Sequence, residues 1–308
     1  MTYIELTFLG TTAAIPTPKR NHPAIYLRYV GKEEHCMLFD CGEGTQRQIF
    51  KAGLNFMRIN NIFITHWHAD HFAGLLGILE TMSLEKRKKP LNVFGPDAEK
   101  NIKLISNIGY GYRNFELLAK NTPEKNSIIF SNEEFDIFSF PVVHGIPAVG
   151  YSFVEKDRIK IDKNKIKSLE LPEKSKLYKK LKEEGKIKYK EKTIKLEDVS
   201  YIEKGKKIVY SGDTKICKNL LNASKDADLV ILDCTYFEKN EIKSNIEGRY
   251  HMYLEDIIEI MKHTNAKIIL THISRRYQSY EELEKIIKKN IEDSKRVIIA
   301  KDFLKINL

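Results

Sequence analysis

Three histidines and an aspartate fall within six residues at His66, His68, Asp70 and His71, in the stretch THWHADH that follows the apolar run NNIFI. Imidazole and carboxylate are ligands for zinc and similar transition metals. On extended chain or in a tight loop, His66 and His68 can point their rings the same way. Asp70 and His71 then fall on the next bend, ahead of a helix over 74–86. A catalytic zinc takes about three protein ligands and keeps one position open. Four groups this close in sequence crowd a single ion, so two ions fit the spacing better, with further ligands drawn from elsewhere. The chain offers them: His144 closes DIFSFPVVH, Asp213 lies in SGDT after KKIVY, and His272 lies in THIS after AKIIL. Each time a β-rich run leads straight into a ligand residue, and ligands at several strand ends on one side of a layered sheet converge.

The elements that must position these groups are legible as alternating short β-rich runs and helical patterns. YIELTFLG, AIYLRYV, CMLFD, NIFIT and LNVFG read as strands, TQRQIFKAG as a helix ended by Gly53, and GLLGILETMSLEKRKK as a long helix ended before Pro90. DAEKNIKLISNIG is helical, and FDIFSFPVVH is a strand pair or one strand bent at Pro141. GYSFVE, KKIVYSGDT, DLVILDCTY, AKIILTH and RVIIA continue the strands, with helices over 216–223, 254–263 and 280–291. Strands followed by repeated βα units predict two sheets with helices outside them.

The 308 residues suffice for one large domain or two modest ones, and 42% hydrophobic content suits a globular chain. No apolar run approaches the roughly 18 residues of a membrane span. The N-terminus lacks a basic n-region and reads as a first strand rather than a signal peptide. Cys36, Cys41, Cys217 and Cys234 form no CxxC pair and read as reduced, buried thiols of a cytoplasmic protein. The net charge of +10 favours polyanionic partners without establishing one. Lysine outnumbers arginine 41 to 11, which fits either life at high temperature or a biased genome. Residues 155–195 carry 16 Lys/Arg against 8 Asp/Glu, so most of the excess charge lies in that segment. It reads either as a solvated insertion or helical hairpin, or as an arm that grips a polyanion.

The order HxHxDH, then separate His, Asp and His at strand ends, resembles the metallo-β-lactamase superfamily over nearly the whole chain. That resemblance implies an α/β fold, the four-layer αββα sandwich, here one domain over 1–308 with an inserted basic arm at about 155–195. It implies two zinc ions per subunit. His66, His68 and His144 would hold one, Asp70, His71 and His272 the other, and Asp213 would bridge them. Two ions roughly 3.5–4 Å apart clamp both the attacking and the leaving oxygens of a displacement. LFDCGEGTQRQ, GTTAAIPTPKRN, HGIPAVGY and THISRRY resemble, more narrowly, motifs of the ribonuclease Z family of tRNA 3′-processing endonucleases. That family carries a tRNA-binding arm between the segments matching GYSF and KKIVYSGDT, where the basic segment lies.

The narrower resemblance implies precursor tRNA as substrate, a 3′-hydroxyl tRNA and a 5′-phosphorylated trailer as products, and a homodimer in which one subunit's arm serves the other's site. Where the family has His-Glu-Ala-Thr, this chain has Leu232, Asp233, Cys234 and Thr235. Asp233 would replace the glutamate that aims a proton-donating histidine, matched here by His251; a carboxylate keeps such an imidazole protonated and aimed. LPEKSKLY replaces a Gly-Pro-rich turn of the arm. Asp70 would orient the nucleophile as well as bind metal. Asp40 is either an outer partner of a metal-bound histidine or a strand-end cap. Thr65 and Thr271 read as turn residues, and Trp67 packs beside the metal loop. RNA contacts fall to Lys174, Lys176, Lys179, Lys180 and Lys182 of the arm, and to Lys19, Arg20, Ser274, Arg275 and Arg276 near the cut, where solvated side chains are the plainer alternative. The rival functions are a hydrolase of the same fold acting on a small ester, thioester or phosphodiester, and a non-catalytic RNA-binding protein with a structural metal.

Overall fold

The computed structural model describes residues 2–108, 113–169, 171–172, 177–190, 192–238 and 250–308. The chain forms two compact units, one of Met1–Val154 with Lys207–Leu308 and one of Glu155–Lys206. The large unit opens with β1 (Tyr3–Gly10), β2 (Ala24–Val30), β3 (Glu34–Phe39), β4 (Ile59–Phe63), β5 (Leu91–Gly95), β6 (Leu117–Asn121), β7 (Ser127–Ser131), β8 (Phe135–Pro141) and β9 (Val149–Glu155). The inserted unit carries β10 (Arg158–Ile161), β11 (Lys186–Tyr189), β12 (Lys192–Lys195) and β13 (Ser200–Glu203). The large unit then resumes with β14 (Lys207–Tyr210), β15 (Leu229–Asp233), β16 (Lys267–Thr271), β17 (Val297–Ile299) and β18 (Lys305–Asn307).

The large unit holds two seven-stranded sheets, ordered β18-β1-β2-β3-β4-β5-β6 and β17-β16-β15-β14-β9-β8-β7. β3 to β6 run parallel in the first sheet, and β14 to β17 run parallel in the second. Side chains alternate between faces as strand geometry dictates. Ile25, Leu27, Met37 and Phe39 face the other sheet, whereas Tyr26, Cys36 and Leu38 face the helical layer. In the second sheet Ile208, Tyr210 and Ile231 face inward, and Val209, Val230 and Leu232 face the helices on its far side. The inter-sheet core stacks Phe39, Phe63 and Phe94, with successive ring centroids 5.1 and 5.0 Å apart, and sets Tyr151 of the opposite sheet 5.5 Å from Phe63.

Helices α1 (Thr45–Lys51), α2 (Ala69–Phe72), α3 (Leu75–Leu84) and α4 (Ala98–Ser106) belong to the first half of the chain. The inserted unit has α5 (Lys163–Ser168) and α6 (Leu177–Glu184), and α7 (Lys218–Ser224), α8 (Leu254–Lys262) and α9 (Tyr280–Asn290) follow. Leu75, Ile78, Leu79 and Met82 line the buried face of α3 at helical spacing. Leu254, Ile257, Ile260 and Met261 do the same for α8. The long helix expected over 74–86 is shorter. α3 ends at Leu84, Lys86 takes φ 57°, and buried Arg87 donates to the carbonyls of Lys89, Pro90 and Met57. Strands β6, β7 and β18 escaped the sequence pattern. They are short edge strands, so one side of each ladder is open and the apolar alternation is weak.

The inserted unit pairs β10 with β13 and β11 with β12, all antiparallel, around a small core of Ile166, Leu171, Leu181, Ile187, Ile194 and Val199. The boundary expected at 195 moves to Lys206, because β13 must return to pair with β10. Among the described residues no helix is long and apolar enough to cross a membrane. Phe63 is fully buried between the sheets. Phe63→Ala is expected to lower unfolding free energy by about 3–5 kcal/mol in chemical denaturation.

Candidate metal centre

Strand ends of both parallel ladders supply the site. Asp40 follows β3, Thr65 and His66 follow β4 at a short remove, and Ser211 to Thr214 follow β14. Asp233 ends β15, His272 follows β16, and His144 lies three residues past the end of β8. The chain turns sharply at these places. Asp40 and His272 adopt φ 57° and 56°, a left-handed backbone rare outside glycine, and Gly212 adopts 59°. Glycine is required at 212 on a second ground, since a Cβ there would lie 2.8 Å from Thr65 Cβ. Asp70 and His71 sit not on a bend but in the one-turn helix α2, which begins directly after His68.

Seven donor groups meet. His68 Nδ1 lies 3.0 Å from His66 Nε2 and 3.1 Å from His144 Nε2. On the other side, His71 Nε2 and His272 Nε2 are 3.4 Å apart, and Asp70 Oδ2 is 3.6 Å and 3.5 Å from them. Asp213 Oδ2 stands between the two sets, 3.2 Å from His272 Nε2, 3.3 Å from His71 Nε2 and 3.7 Å from His66 Nε2. Asp213 Oδ1 is buried without a hydrogen-bond partner among the described residues. A buried carboxylate oxygen left bare is costly, and nitrogens facing nitrogens gain nothing from one another. Divalent cations would satisfy both.

The far sides of the rings are held. His71 Nδ1 lies 2.8 Å from Asp40 Oδ2, and Tyr210 of the opposite sheet donates its hydroxyl to the same oxygen at 2.8 Å. Thr65 donates its N–H to Asp40 Oδ1 at 2.8 Å, and its hydroxyl lies 3.0 Å from His66 Nδ1. Thr235 Oγ1 lies 2.9 Å from His272 Nδ1, and the Tyr250 carbonyl accepts from His144 Nδ1 at 3.3 Å. Such outer bonds fix the tautomer and aim the inner nitrogen at a metal. Burial holds His66 well below its ordinary pKa and lowers His144. Burial also opposes charge on His71 and His272, but Asp213 with Asp40 raises His71 well above its ordinary value, and Asp213 with Asp233 and Asp70 pushes His272 up to about 10. Burial would raise Asp213, yet His272 and His71 hold it well below the usual carboxylate range.

Beside this cluster, His251 Nδ1 lies 2.8 Å from Asp233 Oδ2, and its ring stacks on His272 at 5.2 Å. Burial lowers the His251 pKa, and the neighbouring Asp233 charge and hydrogen bond outweigh it, so the net shift is upward. Thr235 bonds Asp233 Oδ1 through both its N–H, at 3.0 Å, and its hydroxyl, at 2.7 Å.

A family model described as "Beta-lactamase superfamily domain" matches residues 186–273, and one described as "Anti-Pycsar protein Apyc1" matches 4–154. The chain is 41% identical to a ribonuclease Z of Pyrococcus abyssi over 284 residues, covering 90% of this chain and 89% of that relative. It is 37% identical to a ribonuclease Z of Archaeoglobus fulgidus over 313 residues, covering 99% and 97%. The chain belongs to the ribonuclease Z family. The crystal structure of human short-form tRNase Z superposes with a TM-score of 0.68 at 27% identity, covering 98% of each chain. The two sheets and their outer helices are accordingly the αββα metallo-β-lactamase fold, and this family implies a divalent metal for the donor cluster.

Against that family background, some expected RNA contacts change. Arg20 is buried, donates to the carbonyls of Ile273, Ser274 and Tyr277, and lies over the Tyr280 ring, so it ties the loop after β1 to the loop after β16 and is not available to a phosphate. Lys19, Arg275 and Arg276 are exposed and Ser274 is half-buried. Lys179 and Lys180 project from α6 and pair at 4.0 and 3.8 Å with Glu183 and Glu184, while Lys182 donates to the Ile159 carbonyl at 2.8 Å. Lys174 and Lys176 lie outside the described residues. Thr65, read from sequence as a turn residue, is wired to Asp40 and His66; Tyr210 was not foreseen, and Thr235 was matched to the family motif without a role. Only Thr235 had a signal, its place beside Asp233. Asp40→Ala is expected to weaken metal binding about 10–100-fold, read by chelator competition with elemental analysis.

Proposed function

We propose that this chain is a zinc-dependent endoribonuclease that removes the 3′ trailer from precursor tRNA, leaving a 3′-hydroxyl tRNA and a 5′-phosphorylated trailer. The observation that carries this reading is the ribonuclease Z relationship at 41% identity over 90% of the chain. His66, His68 and His144 would hold one ion, Asp70, His71 and His272 a second, and Asp213 both. Two such ions supply an activated water and neutralise charge on the phosphoryl oxygens. The chain's own groups do the rest. Asp70 would hold metal and orient the nucleophile. Asp233 occupies His251 Nδ1, leaving Nε2 to give a proton to the departing 3′ oxygen. Asp40 fixes His71 from behind.

The inserted unit is the proposed tRNA-binding arm, reading folded RNA through phosphate and ribose contacts. The subunits would pair as a homodimer, each arm serving the partner's site. All four cysteines are free, which suits the cytoplasm.

Purified protein incubated with a precursor tRNA should yield those two ends, and chelator or His68→Ala should abolish the cut. Turnover of a small phosphodiester with no cleavage of precursor tRNA would instead favour the small-substrate hydrolase. His251→Ala is expected to lower kcat about 10²–10⁴-fold. A sulfur in place of the scissile 3′ oxygen leaves without needing a proton, so it should erase most of that loss. Replacing Lys179, Lys180 and Lys182 together by alanine should weaken tRNA binding and shrink the salt slope of the binding constant by about 2–3. An unchanged slope would remove these lysines from the RNA surface.

A further inference from the structure

We propose that His22 is a positioning residue for Asp70, acting through the single peptide segment of Ala14; this rests on reading Asp70 as a metal ligand. Ala14 sits in the loop between β1 and β2 and adopts φ 48°, a conformation that an alanine rarely keeps unless its surroundings enforce it. Its two backbone groups point at the two residues concerned. The N–H donates to Asp70 Oδ2 at 3.0 Å, and the carbonyl accepts from His22 Nε2 at 3.1 Å. A carbonyl can only accept, so Nε2 carries the hydrogen. Asp70 Oδ2 is the oxygen that faces His71 and His272, so the Ala14 N–H selects the carboxylate rotamer that serves this half of the cluster.

His22 has no other visible task. Its Nδ1 is buried with no hydrogen-bond partner among the described residues, so all of the ring's hydrogen bonding goes to Ala14. Its seat is built against the backbone of Asp70. A Cβ on Gly42 would lie 2.5 Å from His22 Cβ and 2.1 Å from the Asp70 carbonyl oxygen, so glycine alone lets the three approach. The neighbouring Ala13 N–H is tied to the Ile273 carbonyl at 3.0 Å, beside His272. Ala14 is thus held on three sides, and among the described residues His22 is the only side chain fixing its carbonyl.

The test compares His22→Ala, His22→Gln and the double variant His22→Ala/Ala14→Gly with wild type. Zinc affinity is read by chelator competition, and kcat and KM on precursor tRNA. His22→Ala should lose about tenfold in zinc affinity, as outer partners of metal ligands typically do, and should lower kcat with KM near wild type. His22→Gln, whose amide can still donate to Ala14, should retain most of both. Ala14→Gly should restore part of the loss, because glycine adopts the left-handed backbone unaided. Wild-type affinity and kcat in His22→Ala would overturn the proposal. So would His22→Gln as poor as His22→Ala with no gain from Ala14→Gly. The zinc readout stands whether or not wild type cuts precursor tRNA, so failure of the functional reading is seen separately.

Discussion

The centre depends on one constraint: the inward-facing nitrogens of His66, His71, His144 and His272 are aimed by what holds the nitrogen on the other side of each ring. Asp40 is the clearest case. It is fully buried and meets His71, the Thr65 N–H and the Tyr210 hydroxyl, which come from both sheets. A carboxylate in that position is stable because all its bonds are made, and a half-made network would be worse than an apolar core. The same logic covers Thr235 behind His272 and the Tyr250 carbonyl behind His144. The inward nitrogens are left facing one another and Asp213 Oδ2. Asp213 Oδ1 has no hydrogen-bond partner among the described residues, and His68 Nδ1 faces only imidazole nitrogens there, which is the chemical condition for taking up cations.

The sandwich makes such an arrangement attainable. Parallel strands deliver their ends to one pole, and two parallel ladders, β3–β6 and β14–β17, deliver them from two sheets. The aromatic stack of Phe39, Phe63 and Phe94 lies within the inter-sheet core, with Phe39 and Phe63 directly under the loops that carry Asp40 and Thr65. A dense interior transmits little slack, so the loops inherit the register of the strands beneath. Asp40, His272 and Ala14 adopt left-handed backbone in the loops of the site. Left-handed backbone of this kind persists only where surrounding bonds over-determine it.

The inserted unit follows different rules. Its charge is mostly lysine, and its core among the described residues is six side chains around two short antiparallel pairs. The i,i+4 ion pairs of α6 are exposed and individually worth only about 0.3–0.5 kcal/mol. They therefore hold Lys179 and Lys180 only weakly.

The sequence alone determined the types of the clustered donor residues and most of the strands that carry them, because a β-rich run ending in His or Asp is a local pattern. It also located the basic insertion and paired Asp233 with His251 by resemblance. It could not reveal that Arg20 is buried, since that depends on carbonyls more than 250 positions away at Ile273 and Tyr277. Nor could it reveal the edge strands β6, β7 and β18, whose pairing is settled by neighbours rather than by their own composition. Tyr210, Thr65 and His22 have ordinary surroundings in the chain. Their roles exist only once separate strand ends are brought within hydrogen-bonding distance, and that proximity is a property of tertiary packing.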